Sequence, residues 1–436
     1  MNLNDEFLKR GKNRISGLTQ LLSKRPDQFA PNVWPTYFSK ASGTNIWDLN
    51  GQSYIDMSIS GIGANVLGYC DPEVDEAVLK TIRNGNSSSL NCPEEVELAE
   101  LLCELHPWAE KVRYTRTGGE ALAVAVRIAR AATGRERIAF CGYHGWHDWY
   151  IAANLGGDDS LTDHLLPGLS SLGVPKGLRG TALPFKYNQI QELKTILDKY
   201  PGEVAAVVIE PIRNEKPLPG FLEDVKALAK KAGSVLLFDE VSSGFRLATG
   251  GAHLTLDVEP DVAVFAKAMS NGYPMAAIIG RSEVMGAAER TFISSTYWTD
   301  RIGPSAALAT IAKHRREKVS DHLIKMGSAI QNVWTEAAKE MGLDVHVGGI
   351  YPMSHFSFSG EEALVKMTFF VQEMLKQGIL ASNRFYANFA HRDEHVEIYG
   401  KATRAVFAQL TKLSKEGKLV DSLAGGVARP GFHRLN

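Results

Sequence analysis

Four cysteines in 436 residues, with no Cys-x-x-Cys spacing and no histidine pattern beside them, leave neither a disulfide framework nor a zinc site to build on. Cys70, Cys92, Cys103 and Cys141 read instead as buried, reduced thiols of a cytoplasmic protein. Long apolar runs are missing as well. No stretch approaches transmembrane length, and the opening "MNLNDEFLKRGKNRISGLTQLL" never forms the apolar centre of a secretory signal, so no membrane role is expected. Nor is there an excess of either charge: Lys plus Arg number 48 against 49 for Asp plus Glu, which leaves nothing to hold a nucleic-acid backbone. Internal repeats and low-complexity tracts are also absent.

What is there is a hydrophobic content of 44%, enough for a large core. Residues 36–56 carry strand-like aromatic and β-branched residues around the turn signals Ser42-Gly43 and Asn50-Gly51, which predicts an antiparallel hairpin. Helical spacing over 93–105 and 119–132 then alternates with the short apolar runs "RIAFC" (137–141), "VAAVVIE" (204–210) and "SVLLFDE" (234–240). Such alternation predicts an α/β fold, a mostly parallel central sheet with helices on both faces, over residues 60–312. Residues 1–59 form an N-terminal segment with the hairpin. Residues 313–436, with amphipathic helices at 361–377 and 394–415 and strand-like "HFSFS" at 355–359, form a small α+β domain.

Four stretches carry candidate chemistry. In "SVLLFDEVSSGFR" a buried strand runs into Asp239 and Glu240, and ligands of parallel sheets sit at the carboxyl ends of strands. A P-loop nucleotidase would end a strand this way, but no Gly-x-x-x-x-Gly-Lys-Ser/Thr exists in the chain. In "PDVAVFAKAMSNGYP" Lys267 follows another apolar strand, where partial desolvation favours its neutral, nucleophilic amine. In "YTRTGGEALAVAVRIARAA" Thr117, Gly118 and Gly119 open an Ala-rich helix, whose first N–H groups and dipole suit an anion. In "FCGYHGWHDWY" aromatic residues and histidines cluster just past a strand. No carboxylate or cysteine pattern accompanies His144 and His147, so an aromatic face for a flat ring is expected there rather than a metal.

Together these stretches resemble the class III aminotransferase family of pyridoxal-phosphate (PLP) enzymes, fold type I, over nearly the whole chain. The block "LLFDEVSSGFRLATGGAHLTLDVEPDVAVFAKAMSNGYP", with its acid 28 residues before its lysine, is similar to that of glutamate-1-semialdehyde aminomutase and of sugar-modifying relatives. The resemblance implies that Asp239 contacts the pyridine nitrogen, and that Lys267 holds the cofactor at C4′ and later carries a proton. Thr117, Gly118 and Gly119 would bind the phosphate, Tyr143 and Val241 would lie on the two ring faces, and His144 would support Tyr143 or the substrate. Asn214 or Arg213 would stand near the ring hydroxyl. In "STYWTDRIGP" Thr296 or Thr299 would reach the phosphate of a neighbouring subunit, which implies a homodimer with shared sites.

The chain departs from the aminomutase pattern in two places. "FAPNVWP" (29–35) has no arginine and "SNRFYANF" (382–389) no glutamate, which leaves Trp34, Asn383, Arg384, Tyr386 and Asn388 as expected substrate contacts. The expected activity is transfer of an amino group from an amino acid, glutamate by expectation, to an aldehyde or ketone such as an oxidised octulosonate, as in amino-sugar biosynthesis. A 2,1-aminomutase and a non-catalytic PLP-binding protein are the alternatives.

Overall fold

The computed structural model describes residues 2–157, 160–164, 168–212 and 214–431, so Arg213 lies outside the described residues. The chain divides into two compact units. One comprises Pro72–Ser320, and the other joins the residues up to Asp71 with those from Asp321 onward.

The unit Pro72–Ser320 is built on a seven-stranded sheet. Its strands, in chain order, are β1 (Lys111–Thr115), β2 (Arg137–Cys141), β3 (Ala182–Pro184), β4 (Val204–Ile209), β5 (Val235–Asp239), β6 (Val262–Phe265) and β7 (Ala276–Gly280). They lie side by side in the order β1-β7-β6-β5-β4-β2-β3. β7 runs antiparallel to both β1 and β6, while the pairs from β6 through to β3 are parallel. Every residue of β4, β5, β6 and β7 is buried, as expected of strands covered on both faces. The helix Gly118–Thr133 packs its Ala, Val, Leu and Ile residues into the same core as alternate residues of these strands. Because only β7 is reversed, the ends of β1, β2, β4, β5 and β6 all open on one edge of the sheet. That edge is where ligands bind in such folds.

In the other unit the expected hairpin is part of a four-stranded sheet, in which 38–42, 45–48 and 53–57 form an antiparallel set and 379–381 joins 53–57 in parallel. The Asn50-Gly51 turn places Gly51 at φ 83°, backbone that glycine adopts without cost. A second sheet of three antiparallel strands (345–348, 353–358, 384–386) shares a core with the helices Ala363–Lys376 and Asp393–Lys415 through Phe356, Phe370 and Phe407.

Two simpler observations complete the fold. None of the four cysteines forms a disulfide, and only Cys141 is buried, which corrects the expectation that all would be. Cys70 is exposed, in left-handed backbone (φ 50°) at the turn before Pro72, where no core is at hand to cover it. Among the described residues no helix is long and apolar enough to cross a membrane.

Candidate active site

Strand geometry sets the site. Successive side chains of a strand point to opposite faces, so Asp239 and Glu240, consecutive at the end of β5, look in opposite directions. Asp239 is 3% exposed; its Oδ2 accepts from His144 Nδ1 at 2.7 Å and its Oδ1 from the Val241 N–H at 3.0 Å. A carboxylate offers roughly four lone-pair directions, so capacity to accept remains. His144 is itself fully buried just past the end of β2, and its Nε2 lies 3.0 Å from the Cys141 carbonyl oxygen. The histidine thereby spans the ends of two strands and fixes the acid between them.

Glu240, on the other side, is enclosed. Its Oε1 accepts from both the N–H and the Nδ1 of His253 (2.9 Å each), and its Oε2 from the Ser243 hydroxyl (2.5 Å). Trp108 Nε1 donates to His253 Nε2 at 3.0 Å, so the hydrogen of the imidazole sits on Nδ1 and goes to Glu240. Burial pushes the Glu240 carboxyl up, and the hydrogen bonds from His253 and from the Ser243 hydroxyl more than offset it, holding the group below the usual carboxylate range.

Lys267 stands just past β6, half-buried, and its Nζ donates to Ser242 Oγ at 2.8 Å. Its backbone is left-handed at φ 48°, which costs a residue with a side chain on the order of 1 kcal/mol. Such outliers gather at functional sites because the surrounding structure holds a side chain where it would not otherwise go.

At the end of β1, Thr117 caps the helix Gly118–Thr133. Its Oγ1 accepts from the Glu120 N–H at 3.3 Å, while Glu120 Oε2 accepts from the Thr117 N–H at 2.9 Å. This box uses the Thr117 and Glu120 amides and leaves those of Gly118 and Gly119, which have no partner within a helix, for an anion. Gly118 also has a steric reason: a Cβ there would come within 2.7 Å of Val241 Cγ1, so the helix start and the residue after Asp239–Glu240 are in close approach. Tyr143 is half-buried beyond β2, its N–H donating to Glu210 Oε2 at 3.1 Å. Gly142, at φ 111°, admits that carboxylate, since a Cβ would lie 2.6 Å from it.

The structure thus brings Thr117, Gly118, Gly119, Tyr143, His144, Asp239, Val241 and Lys267 to the ends of four strands of one sheet. Asn214 is exposed and lines a cavity of about 410 Å³ with Gly142, His164, Tyr187 and Glu210. Thr296 and Thr299 belong to an exposed turn of 3₁₀ helix whose flank is anchored by Arg116 to Asp300 and by Arg301 to Glu94 (2.7 and 2.8 Å). The remaining residues lie in the other unit. Trp34 stacks on Phe29 (centroids 4.2 Å apart) beside a cavity of about 350 Å³, and Arg384 is exposed. Tyr386 is buried, and Asn388 is buried with Nδ2 donating to Ser60 Oγ and Oδ1 accepting from the N–H groups of Ala390 and His391.

A parallel-rich sheet with an acid and a lysine at the ends of adjacent strands, and a glycine-rich helix start beside them, defines a PLP-dependent transferase of fold type I. The chain belongs to the class III aminotransferase family, whose sequence profile matches residues 29–389. It is 32% identical over 403 residues to a 3-aminobutyryl-CoA aminotransferase of Cloacimonas acidaminovorans (strain Evry), covering 89% of this chain and 93% of that one. It is 30% identical over 387 residues to a 2'-deamino-2'-hydroxyneamine transaminase of Streptomyces kanamyceticus, covering 87% and 92%. The fold is similar to that of the FumI protein of Sphingopyxis sp. MTA144, solved in its PLP internal aldimine form, with a TM-score of 0.86 at 24% identity over 97% of this chain and 98% of that one. The protein is therefore a PLP-dependent aminotransferase, which takes an amino donor and a carbonyl acceptor. Its site fits the cofactor: a buried acid with spare acceptor capacity, a lysine amine, uncapped helix amides, and a side-chain-free approach at Gly118.

Proposed function

We propose that Asp239 and Lys267 carry the chemistry, and the observation that carries this reading is their placement at neighbouring strand ends, with Asp239 held by His144 and Lys267 by Ser242. When bound, PLP supplies an electron sink. Asp239, 3% exposed, would hold a proton at the ring nitrogen through a charge-assisted hydrogen bond. The Lys267 amine, free of the cofactor, would be the group that takes a proton from the substrate carbon and carries it onward. Thr117, Gly118 and Gly119 would bind the phosphate, Tyr143 and Val241 would confine the ring from its two faces, and Asn214 would stand near its hydroxyl.

The amino donor in this reading is an amino acid, glutamate, and the acceptor an oxidised, hydroxylated sugar-type compound met by Trp34, Arg384 and Tyr386, whereas Asn388, expected as a contact, is fully buried and bonded within the protein. The name of the Streptomyces relative, which acts on a hydroxyneamine, supports such an acceptor. The missing arginine and glutamate weigh against an aminomutase. Offering each amino acid in turn to the loaded protein tests the donor: glutamate is expected to bleach the cofactor's absorbance without releasing a rearranged product, and failure of glutamate to do so contradicts the proposal.

The protein acts, in the same reading, as a cytoplasmic homodimer in which Thr296 or Thr299 completes the partner's phosphate site. The exposure of both threonines, beside exposed Phe292 and Tyr297, supports it. Mixing Lys267→Ala chains with chains carrying Thr296→Ala and Thr299→Ala should restore activity above that of either parent, because both lesions of a mixed dimer fall in one site. Verified exchange without such a gain, when the threonine variant alone is impaired, contradicts shared sites.

A further inference from the structure

Ser242 sits three residues after Asp239, 6% exposed, with its Oγ 2.8 Å from the Lys267 amine. Its position is fixed from behind. The next serine turns the other way and donates to Glu240 Oε2 (2.5 Å), and the Gly244 N–H donates to the Glu240 carbonyl (2.9 Å). A Cβ on Gly244 would lie 2.7 Å from that carbonyl and 2.8 Å from Phe265, so the turn is packed tight as well as bonded. The hydroxyl is thus a fixed point beside a flexible four-carbon side chain, fastened through a carboxylate that is itself fully buried.

We propose that Ser242 is a positioning residue that aims the Lys267 amine during proton transfer. A neutral amine has two hydrogens and one lone pair. With one hydrogen given to Ser242 Oγ, rotation about the terminal bond is limited and the lone pair faces the substrate. The substrate C–H bond then breaks with its electron pair left on carbon, and a new N–H bond forms on Lys267. The resulting ammonium keeps its bond to Ser242 while it delivers that proton to the second carbon, which returns the amine to its starting state. Ser242 accepts a hydrogen bond throughout and exchanges no proton of its own. The proposal rests on Lys267 being the lysine linked to the cofactor.

The test uses the loaded protein with Ser242→Ala. Loss of one hydrogen bond to a group that becomes charged is expected to lower kcat by about tenfold while donor KM stays within about twofold. The isotope effect of an α-deuterated donor should grow, because proton transfer becomes limiting, and the pH at which the bound cofactor's absorbance changes should move. Ser242→Thr, which keeps the hydroxyl, should recover most of the loss. Normal kcat in Ser242→Ala, or a lowered kcat with isotope effect and absorbance midpoint unmoved, overturns the proposal. If Ser242→Ala does not fold, Ser242→Cys, similar in size and a weak acceptor, is judged by the same criteria. Borohydride reduction and peptide mapping of the same proteins separate the two readings. An adduct on Lys267 with an unmoved isotope effect removes the role of Ser242 alone, and an adduct on another lysine removes both.

Discussion

Two carboxylate–histidine pairs stand back to back on one strand end, and they differ in what they leave open. Asp239 spends one oxygen on His144 and one on the Val241 amide and keeps lone pairs to offer; Glu240 has both oxygens enclosed by His253 and Ser243. The histidines differ in the same sense. Both ring nitrogens of His144 face oxygens, whereas His253 gives a hydrogen to Glu240 and takes one from Trp108. A buried polar group that is satisfied on every side stabilises and positions, while one with spare capacity in a cleft can act on a ligand. In the function proposed here the first pair belongs to the reaction and the second to the scaffold that holds it.

Lys267→Ala should show the largest effect on the open side, abolishing turnover while the thermal transition stays close to that of the parent. Residual steady turnover above background would place the reactive amine elsewhere. On the enclosed side, Glu240→Ala should act on stability: it strands three donors in a dry interior and should cost roughly 3–5 kcal/mol, read from the denaturant midpoint. An unchanged midpoint would dissolve the distinction between the two pairs.

A smaller effect concerns His106, which backs the enclosed pair. Burial pulls its pKa down from 6.5 to about 4, against the bond from Nδ1 to the Leu102 carbonyl, which favours the charged form; Nε2 accepts from the Gly251 N–H. The unfolded chain therefore binds the proton more tightly than the folded one. The stabilisation is complete above pH 6.5 and is lost as the pH falls toward 4, at about 1.4 kcal/mol per pH unit. Stability measured over that window should decline less steeply in His106→Asn; an equal slope in both proteins would remove His106 from the account.

Much of this was legible in the sequence, for a local reason. A strand that ends in a charged residue, or a Thr-Gly-Gly before an Ala-rich run, is visible within a few positions, so Asp239 with Glu240, Lys267 and the helix start at Gly118 stand out as candidates, and the family resemblance supplies their roles. The helix expected over 394–415 is observed as Asp393–Lys415 for the same reason. What escaped was pairing across distance. His144 and Asp239 are 95 positions apart and Trp108 and His253 145, and no local periodicity joins them. The strand period offered one unused signal: adjacent acids on a strand cannot share a face, so only one of Asp239 and Glu240 could serve the cofactor. Thr117 offered another, since the Glu three positions later marks a capping box that uses the threonine's amide, has its hydroxyl oxygen accept, and leaves the glycine amides.

The central claim, that Asp239 is the open acid and Glu240 the enclosed one, is tested most directly by measuring kcat of Asp239→Asn and Glu240→Gln side by side with one donor. Each substitution removes a charge and keeps the shape of the side chain. Asp239→Asn should lose on the order of 3 kcal/mol of transition-state stabilisation, at least about a hundredfold in kcat, with cofactor still bound. Glu240→Gln should stay within about threefold of the parent, since its amide can still accept from His253. Near-normal turnover in Asp239→Asn, or an equal loss in the two variants, would contradict the account.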